Sequence, residues 1–499
     1  MRRSIPLLVL FFVTSLHAKD VNVREFGATG DGATLDTAAV QKAIDEVTGS
    51  GGGKVTVPAG TYLLGTIILK DNVTLHLDEG STLLGTADLS QYKNLDPFKD
   101  GLGADVGTAF VTVIDAKNVT LEGKGTFDGN NKAVAAAKSF KGEGWGFRPM
   151  LLRVVRSRDV TIKDVTFKSS ASWTTNYFQC QNVTIQNVTI DSKGVPHNDG
   201  INIDSCEDVT IKDCNVDSGD DALVLKSTSA KPTKNITATG LKLKSGHAAI
   251  KLGTESYGGF EHIRISDCQI RDTRNGGIKV LCVDGGALKD VVISDITMEN
   301  TGVPIFVRNG ARLKTFREGD AKKEPGVLRD VTIRNIKAAS HKTPKLMPPS
   351  GVFITGIPDH PVENVTLENI KIALPGGGTA EHARAPVDEK PDTYPEIDRF
   401  GKTLPAWGVY ARHVKGLTLK NVKLTATDSP DLRPALVAQN VAGLTVDALQ
   451  ASSSPDAECV VRLESSKGAT VKDLKVDEQA KLLVKTESDS DVTINGGGS

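Results

Sequence analysis

The chain has 499 residues, with 60 Lys+Arg against 61 Asp+Glu, 49 glycines and only 5% aromatic residues. Such balanced charge gives no global basic field, which excludes nucleic acid as the main partner but leaves room for a polyanionic ligand at a local cluster. Six cysteines without any Cys-x-x-Cys pair argue against a zinc site and read as stacked buried thiols rather than a disulfide framework.

The first segment, "MRRSIPLLVLFFVTSLHA", joins a short basic start to an apolar run, Ile5 to Leu16, too short to span a bilayer. It reads as a secretory signal peptide over residues 1–18, removed near Ala18. No later stretch is long and apolar enough to cross a membrane. A secreted or periplasmic protein is expected, with no membrane contact once the signal is removed. Next, "DTAAVQKAIDEV" places Ala39, Val40, Ala43, Ile44 and Val47 on one helical face behind Asp36 as N-cap. This predicts an N-terminal cap helix.

A repeat then fills the chain. "NVTLHL" at Asn72 recurs as "NVTLEG" at Asn118, "DVTIKDVTF" at Asp159, "NVTIQNVTI" at Asn182 and "DVTIKDCNV" at Asp208. Further copies begin at Asn235, His262, Asp290, Asp330, Asn364, Gly416, Gly443, Gly468 and Asp491. From Asn182 to Asp290 the intervals are 26, 27, 27 and 28 residues. Each copy alternates apolar and polar residues, is rich in β-branched side chains, and mostly opens on a turn-favouring residue. A period near 26 fits one coil of a solenoid with about three short strands. The prediction is an all-β chain, a parallel β-helix in which Cys214, Gly240 and Cys268 share one position of successive coils. The Asn-x-Thr triplets read as turn and strand residues, with no further role assigned. Insertions near 84–112, 130–150, 303–326 and 374–409 break the spacing, so residues 19–499 are read as one elongated domain with long loops along one rim.

Aligning the middle coils brings the acids together. "KGVPHNDGINI", "GDDALVL", "GHAAIKL" and "TRNGGIKV" occupy the same part of successive coils. Asp199, Asp220, Asp221 and His247 therefore all fall where a turn feeds the same strand, with Lys279 one coil further on. Carboxylates this close repel one another, so at least one should hold its proton while the others stay ionised. Glycosidic cleavage needs that division between a proton donor and a base that activates water. The plainer readings are calcium binding, or aspartates that merely form turns.

These residues also carry a family resemblance. The chain resembles glycoside hydrolase family 28, the polygalacturonases and rhamnogalacturonases, in "HNDG" at 197–200, "SGDD" at 218–221, "GHA" at 246–248 and "GIK" at 277–279. The 21-residue interval from Asp199 to Asp220 is similar to the family's spacing. "IKLGTES" at 250–256, "GKGTFDGN" at 123–130, Arg148-Pro149 and Trp173 resemble further landmarks. The resemblance spans roughly residues 20–450. It implies a right-handed β-helix and inverting hydrolysis of a pectic poly- or oligosaccharide. Asp220 would be the acid, and Asp199 and Asp221 would hold and activate the water. His247 would tune the acid and help orient substrate, and Lys279 would bind a uronate or hydroxyls. His197, Asn198, Lys226, Lys251 and Arg274 are further candidate substrate contacts. No metal or other cofactor is expected, and a monomer would suffice.

Three positions depart from the family pattern. His197 replaces Asn, Ala248 replaces Gly, and Gly277 replaces the Arg of Arg-x-Lys, leaving Arg274 as a possible substitute. Arg grips a carboxylate in a bidentate way that Lys alone does not reproduce. The polar, Pro-rich segment 381–408 reads as a loop over or beside the cleft that blocks one end of it and favours attack at chain ends. A polysaccharide lyase or epimerase on the same solenoid is the alternative activity, and a non-catalytic glycan-binding solenoid the alternative class.

Overall fold

The computed structural model describes residues 18–137, 147–341, 345–478 and 480–495. The expected signal peptide lies outside them, apart from Ala18. No helix among the described residues is long and apolar enough to cross a membrane.

The repeats become coils of a right-handed parallel β-helix. Strands that begin the copies stack directly: Val160 beside Val183, Val183 beside Val209, and Val209 beside Ile236. Inward positions of every strand merge into one long apolar core. The opening residue of every copy before Asp491 adopts left-handed backbone geometry, as at Asn182 (φ 55°), Asp208 (φ 58°) and Asn235 (φ 56°). Asn and Asp tolerate this region better than most residues. Their side chains also link the coils, with Asn182 Nδ2 donating to Asp159 Oδ1 at 2.7 Å and Asn235 Nδ2 to Asp208 Oδ1 at 2.9 Å. The triplets are thus part of a structural ladder.

All six cysteines are buried and free. The Cys206 sulfur accepts the Cys180 N–H at 3.2 Å, as stacking predicts. The ladder through Cys214 needs one correction. Asn215 pairs with Lys242, and Lys242 with Gln269, so Cys214 lies in line with Leu241 and Cys268. Gly240 instead occupies the preceding turn, with φ 70°. A slip of one residue exchanges an inward position for a turn position.

The cap helix spans Thr37–Gly49 and buries Val40, Ala43, Ile44 and Val47. Asp36 stands at the N-cap position, but its carboxylate does not cap the helix. It accepts the N–H groups of Thr29 and Gly30 at 2.8 and 2.9 Å, tying the helix to the loop before it. Two of the predicted insertions are shortened by strands, while the one between Leu374 and Val409 keeps its predicted bounds. Ile305–Asn309 is a coil strand inside the expected 303–326 loop, and Asp105–Ile114 overlaps the 84–112 loop. A second short helix, Asn131–Ala137, lies in the 130–150 insertion, part of which is outside the described residues.

One outward row of the stack positions the site. It runs Arg153, Asn176, Asn202, Val224, Lys251, Lys279, Phe306, Phe353, Tyr410, Val437 and Arg462 on successive paired strands. Strand alternation puts Lys226, two residues after Val224, on the same face.

Candidate active site

The strands Ile201–Asp204, Leu223–Ser227, Ala248–Ser256 and Gly276–Cys282 lie side by side, and the turns that feed them carry the predicted acids. Backbone bonds lock these turns together. Gly200 N donates to Asp221 O at 2.9 Å, Ala222 N to Ala248 O at 2.9 Å, and Asn275 N to His247 O at 2.9 Å. Ser218 and Ser245 both donate from Oγ to the Asp220 carbonyl, at 2.8 and 2.6 Å, and Ser245 Oγ accepts the His247 N–H. Two glycines permit the crowding. A Cβ on Gly219 would sit 2.3 Å from Asn198 Oδ1, and one on Gly246 would sit 2.1 Å from Gly219 O.

Asp220, Asp221 and His247 each present a polar atom within 4.8 Å of the others. The separation of 6.5–9.5 Å associated with an inverting acid–base pair therefore does not hold between Asp220 and Asp221. A cation at this trio would share Asp221 with existing partners. Its Oδ1 accepts the Ala248 N–H at 3.0 Å and its Oδ2 meets Lys251 Nζ at 2.6 Å.

The three aspartates have different surroundings. Burial alone would raise the Asp221 carboxyl, but Lys251, His247 and Lys279 outweigh it and hold that carboxyl below the usual range. Burial and then the neighbouring Asp220 push the Asp199 carboxyl well above the usual range, against the pull of Lys226. The raised carboxyl is therefore Asp199, whereas the family resemblance makes Asp220 the proton donor. Asp220 is the most open, its side chain 19% exposed against 5% for each of the others. Two imidazoles flank it, His197 Nδ1 at 3.9 Å and His247 Nδ1 at 3.8 Å. Burial depresses the His197 imidazole despite the opposing pull of Asp220. Asn275 Nδ2 lies 3.1 Å from His247 Nδ1 and fixes that ring's orientation.

The lysines of the outward face are buried and matched to acids. Lys226 lies 3.1 Å from Glu255, 3.7 Å from Asp199 and 4.5 Å from the centre of the Trp173 ring. Lys279 is 1% exposed and meets both oxygens of Glu396, at 3.3 and 3.2 Å. Lys251 also donates to the Tyr394 hydroxyl at 3.3 Å. Tyr394 and Glu396 belong to the 381–408 segment, which thus lies over the cleft. It is anchored by Ile397, Phe400 and Leu404 against Phe306, Phe353 and Tyr410, the next members of the outward row.

Two predicted contacts are placed differently. Asn198 is completely buried beneath the turn, and both amide atoms lack a hydrogen-bond partner among the described residues. The left-handed turn at His197 (φ 60°) sends the imidazole outward and the next side chain inward. Arg274 is exposed beside Asn275 and forms no ion pair among the described residues. Gly277 has a steric reason for being glycine. A Cβ there would lie 2.5 Å from Met298 Sδ and 2.8 Å from Pro304 O.

Three contributors escape a reading of the motifs. Glu255 is buried between Lys226 and the Gly101 N–H, which it accepts at 3.0 Å. It lies within "IKLGTES", a landmark that assigns it no role. Tyr394 and Glu396 arrive from a loop with no periodicity, so only its length and polarity marked it. A concavity of about 1360 Å³ lies on another sheet face between residues such as Asp217, Lys244 and Lys337, and contains none of these carboxylates.

Comparison with known proteins bears on the family and the fold. A "Probable polygalacturonase" of Vitis vinifera is 30% identical over 383 residues, covering 72% of this chain and 75% of its own. An "Exopolygalacturonase" of Zea mays is 27% identical, covering 71% and 84%. The fold is similar to that of a hyperthermoactive exopolygalacturonase from Thermotoga maritima, with TM-score 0.65, 22% identity and coverage of 83% of this chain and 93% of that one. It is also similar to a polygalacturonase from Erwinia carotovora, with TM-score 0.54, 20% identity and coverage of 80% and 93%. The family model for glycosyl hydrolases family 28 matches residues 49–389, and with the stacked acid turns inside that span the chain belongs to this family of glycoside hydrolases.

Proposed function

We propose that the protein is a secreted, exo-acting hydrolase of galacturonate-containing pectic oligosaccharides, working by inversion. The observation that carries the exo reading is the outward row of the solenoid. On one side of Lys279 its next members, Phe306, Phe353 and Tyr410, are covered by the 381–408 loop. On the other side, Arg153 is buried against Asp96 from the 84–112 loop, with Phe98 over its guanidinium. Such a site accepts a chain end more readily than the middle of a polymer. Relatives described as polygalacturonases and exopolygalacturonases support the substrate class. All the groups come from one chain, so a monomer suffices.

In this reading Asp220 donates its proton to the leaving glycosidic oxygen. It is the most exposed of the three acids, and its flanking imidazoles line the approach to it. Burial, and then repulsion from Asp220, raises the Asp199 carboxyl, which favours one proton between the two. With that proton on Asp220, Asp199 and Asp221 orient a water and accept its proton as oxygen attacks the anomeric carbon and the old C–O bond breaks. His247, positioned by Asn275, tunes Asp220 and meets the sugar. His197, Lys226 and Lys251 shape the wall around it. Arg274 is left at the rim for a uronate further along the chain.

A second reading has an observation in its favour. The short Asp220–Asp221 separation suits a retaining enzyme with Asp221 as nucleophile. Against it, both Asp221 oxygens already accept hydrogen bonds, which weakens a nucleophile but suits an anchor for water. Product time courses on polygalacturonan and on defined oligogalacturonates test the exo reading. Release of one small product from chain ends supports it. Rapid loss of viscosity with mixed-length products contradicts it.

A further inference from the structure

Each buried ammonium around the acids already has a carboxylate. Lys251 meets Asp221, Lys226 meets Glu255, and Lys279 meets Glu396. The last pair differs from the others in origin. Asp221 and Glu255 stand on the coils themselves, whereas Glu396 is carried in by the loop and lies beyond the residues matched to the family model. Both of its oxygens face the same ammonium at nearly equal distances, 3.2 and 3.3 Å, as a bound carboxylate would. The glutamate side chain is 15% exposed, so it borders the cleft, while Lys279 behind it is 1% exposed.

We propose that Glu396 is a specificity-determining residue that occupies the carboxylate position on Lys279, so that the sugar unit bound against it carries no free carboxylate. That unit is a neutral sugar or a uronate whose acid is esterified. The inference rests on the pectic reading above and refines it to one subsite.

The physical basis is charge matching in a dry site. A free uronate added beside Lys279 would place a second carboxylate next to Glu396, with no unmatched buried ammonium among these three to receive it. A buried charge without a partner is strongly disfavoured. An ester or a neutral sugar presents only hydrogen-bonding oxygens and avoids that repulsion. Anchoring of the loop by Ile397 and Phe400 makes withdrawal of Glu396 costly, because it would uncover Phe306 and Phe353. Arg274, exposed and outside this set, leaves a uronate at another subsite a cation to meet.

The test uses equilibrium binding by calorimetry, which needs no turnover. Galacturonic acid and its methyl ester are titrated into the full-length protein, into Glu396→Gln and into Glu396→Ala, with thermal unfolding confirming that each variant is folded. The wild type should bind the ester at least tenfold more tightly than the acid. Both variants should reverse that order, because Lys279 then lacks its internal carboxylate. Acid binding to the wild type as tight as ester binding, a preference unchanged in both variants, or no binding of either sugar to any of the proteins would overturn the proposal. Hydrolysis of oligosaccharides with an esterified or a free acid at the terminal unit is followed separately. If binding shows the reversal and no pectic oligosaccharide is cleaved, the hydrolytic reading fails while the specificity assignment stands.

Discussion

Nζ of Lys251 lies 2.6 Å from Oδ2 of Asp221, and each side chain is only 5% exposed. The two residues are on adjacent coils, so the pair joins the turn that carries the acids to the strand beneath the loop. Removing one partner of a buried pair leaves an uncompensated charge, at a cost of about 3–5 kcal/mol. Lys251→Met should therefore lower stability by roughly that amount. The double variant with Asp221→Asn should recover most of the loss, which urea unfolding of the four proteins measures. Equal and additive losses would mean that the pair is not coupled.

Asp220→Asn retains shape but removes the transferable proton. Turnover should fall by about 10²–10⁴-fold, the usual contribution of general acid catalysis. Substrate affinity should change far less. Steady-state kinetics on an oligogalacturonate separate the two, and near-normal kcat would refute the assigned acid.

The acids should also behave differently with pH. Glu255 is lowered to about 2, with burial opposing and Lys226, Arg312 and Lys251 prevailing. Its contribution is present above its unfolded value, about 4.3, and is lost as pH falls toward 2. A shift of this size corresponds to about 3 kcal/mol at neutral pH. Glu255→Gln should be destabilised by that order at pH 7, with the gap to wild type closing below pH 4. The raised Asp199 has the opposite sign. Its favourable contribution is complete below the unfolded value and lost as pH rises through the raised folded one. Asp199→Asn should therefore gain stability relative to wild type as pH rises, while losing activity. Denaturant unfolding across pH 3–8 checks both directions.

The parts of this molecule that repeat were legible from residues alone, because a strand period and a turn residue recur in every coil. Asp199, Asp220, Asp221 and His247 could be brought together by alignment, since stacking converts a fixed spacing into proximity. The ladder through Gly240 failed by one residue, as the exact turn length is invisible to a periodic pattern. The burial of Asn198 was not legible because a single left-handed residue, His197, decides which of two neighbours points outward. Tyr394 and Glu396 were illegible because their roles arise from a loop crossing over coils more than a hundred residues away in sequence.

The loop's anchor offers a way to separate access from chemistry. Phe400 packs on Phe306 and Phe353, with ring centres 6.1 and 5.5 Å away. Truncation of such a buried ring costs about 3–5 kcal/mol. Phe400→Ala should loosen the segment that holds Tyr394 and Glu396, and let longer chains enter. Chromatography of the products from polygalacturonan should show a broader range of lengths than with wild type. An unchanged product pattern would show that the loop does not restrict the cleft.

The anomeric configuration of the first product, followed by NMR before mutarotation, tests the proposed chemistry most directly. Attack by a water held between Asp199 and Asp221 predicts the inverted anomer as the initial signal. A retained anomer would make Asp221 a covalent nucleophile, and an unsaturated product would mean elimination. Either result would contradict the roles assigned to the three aspartates.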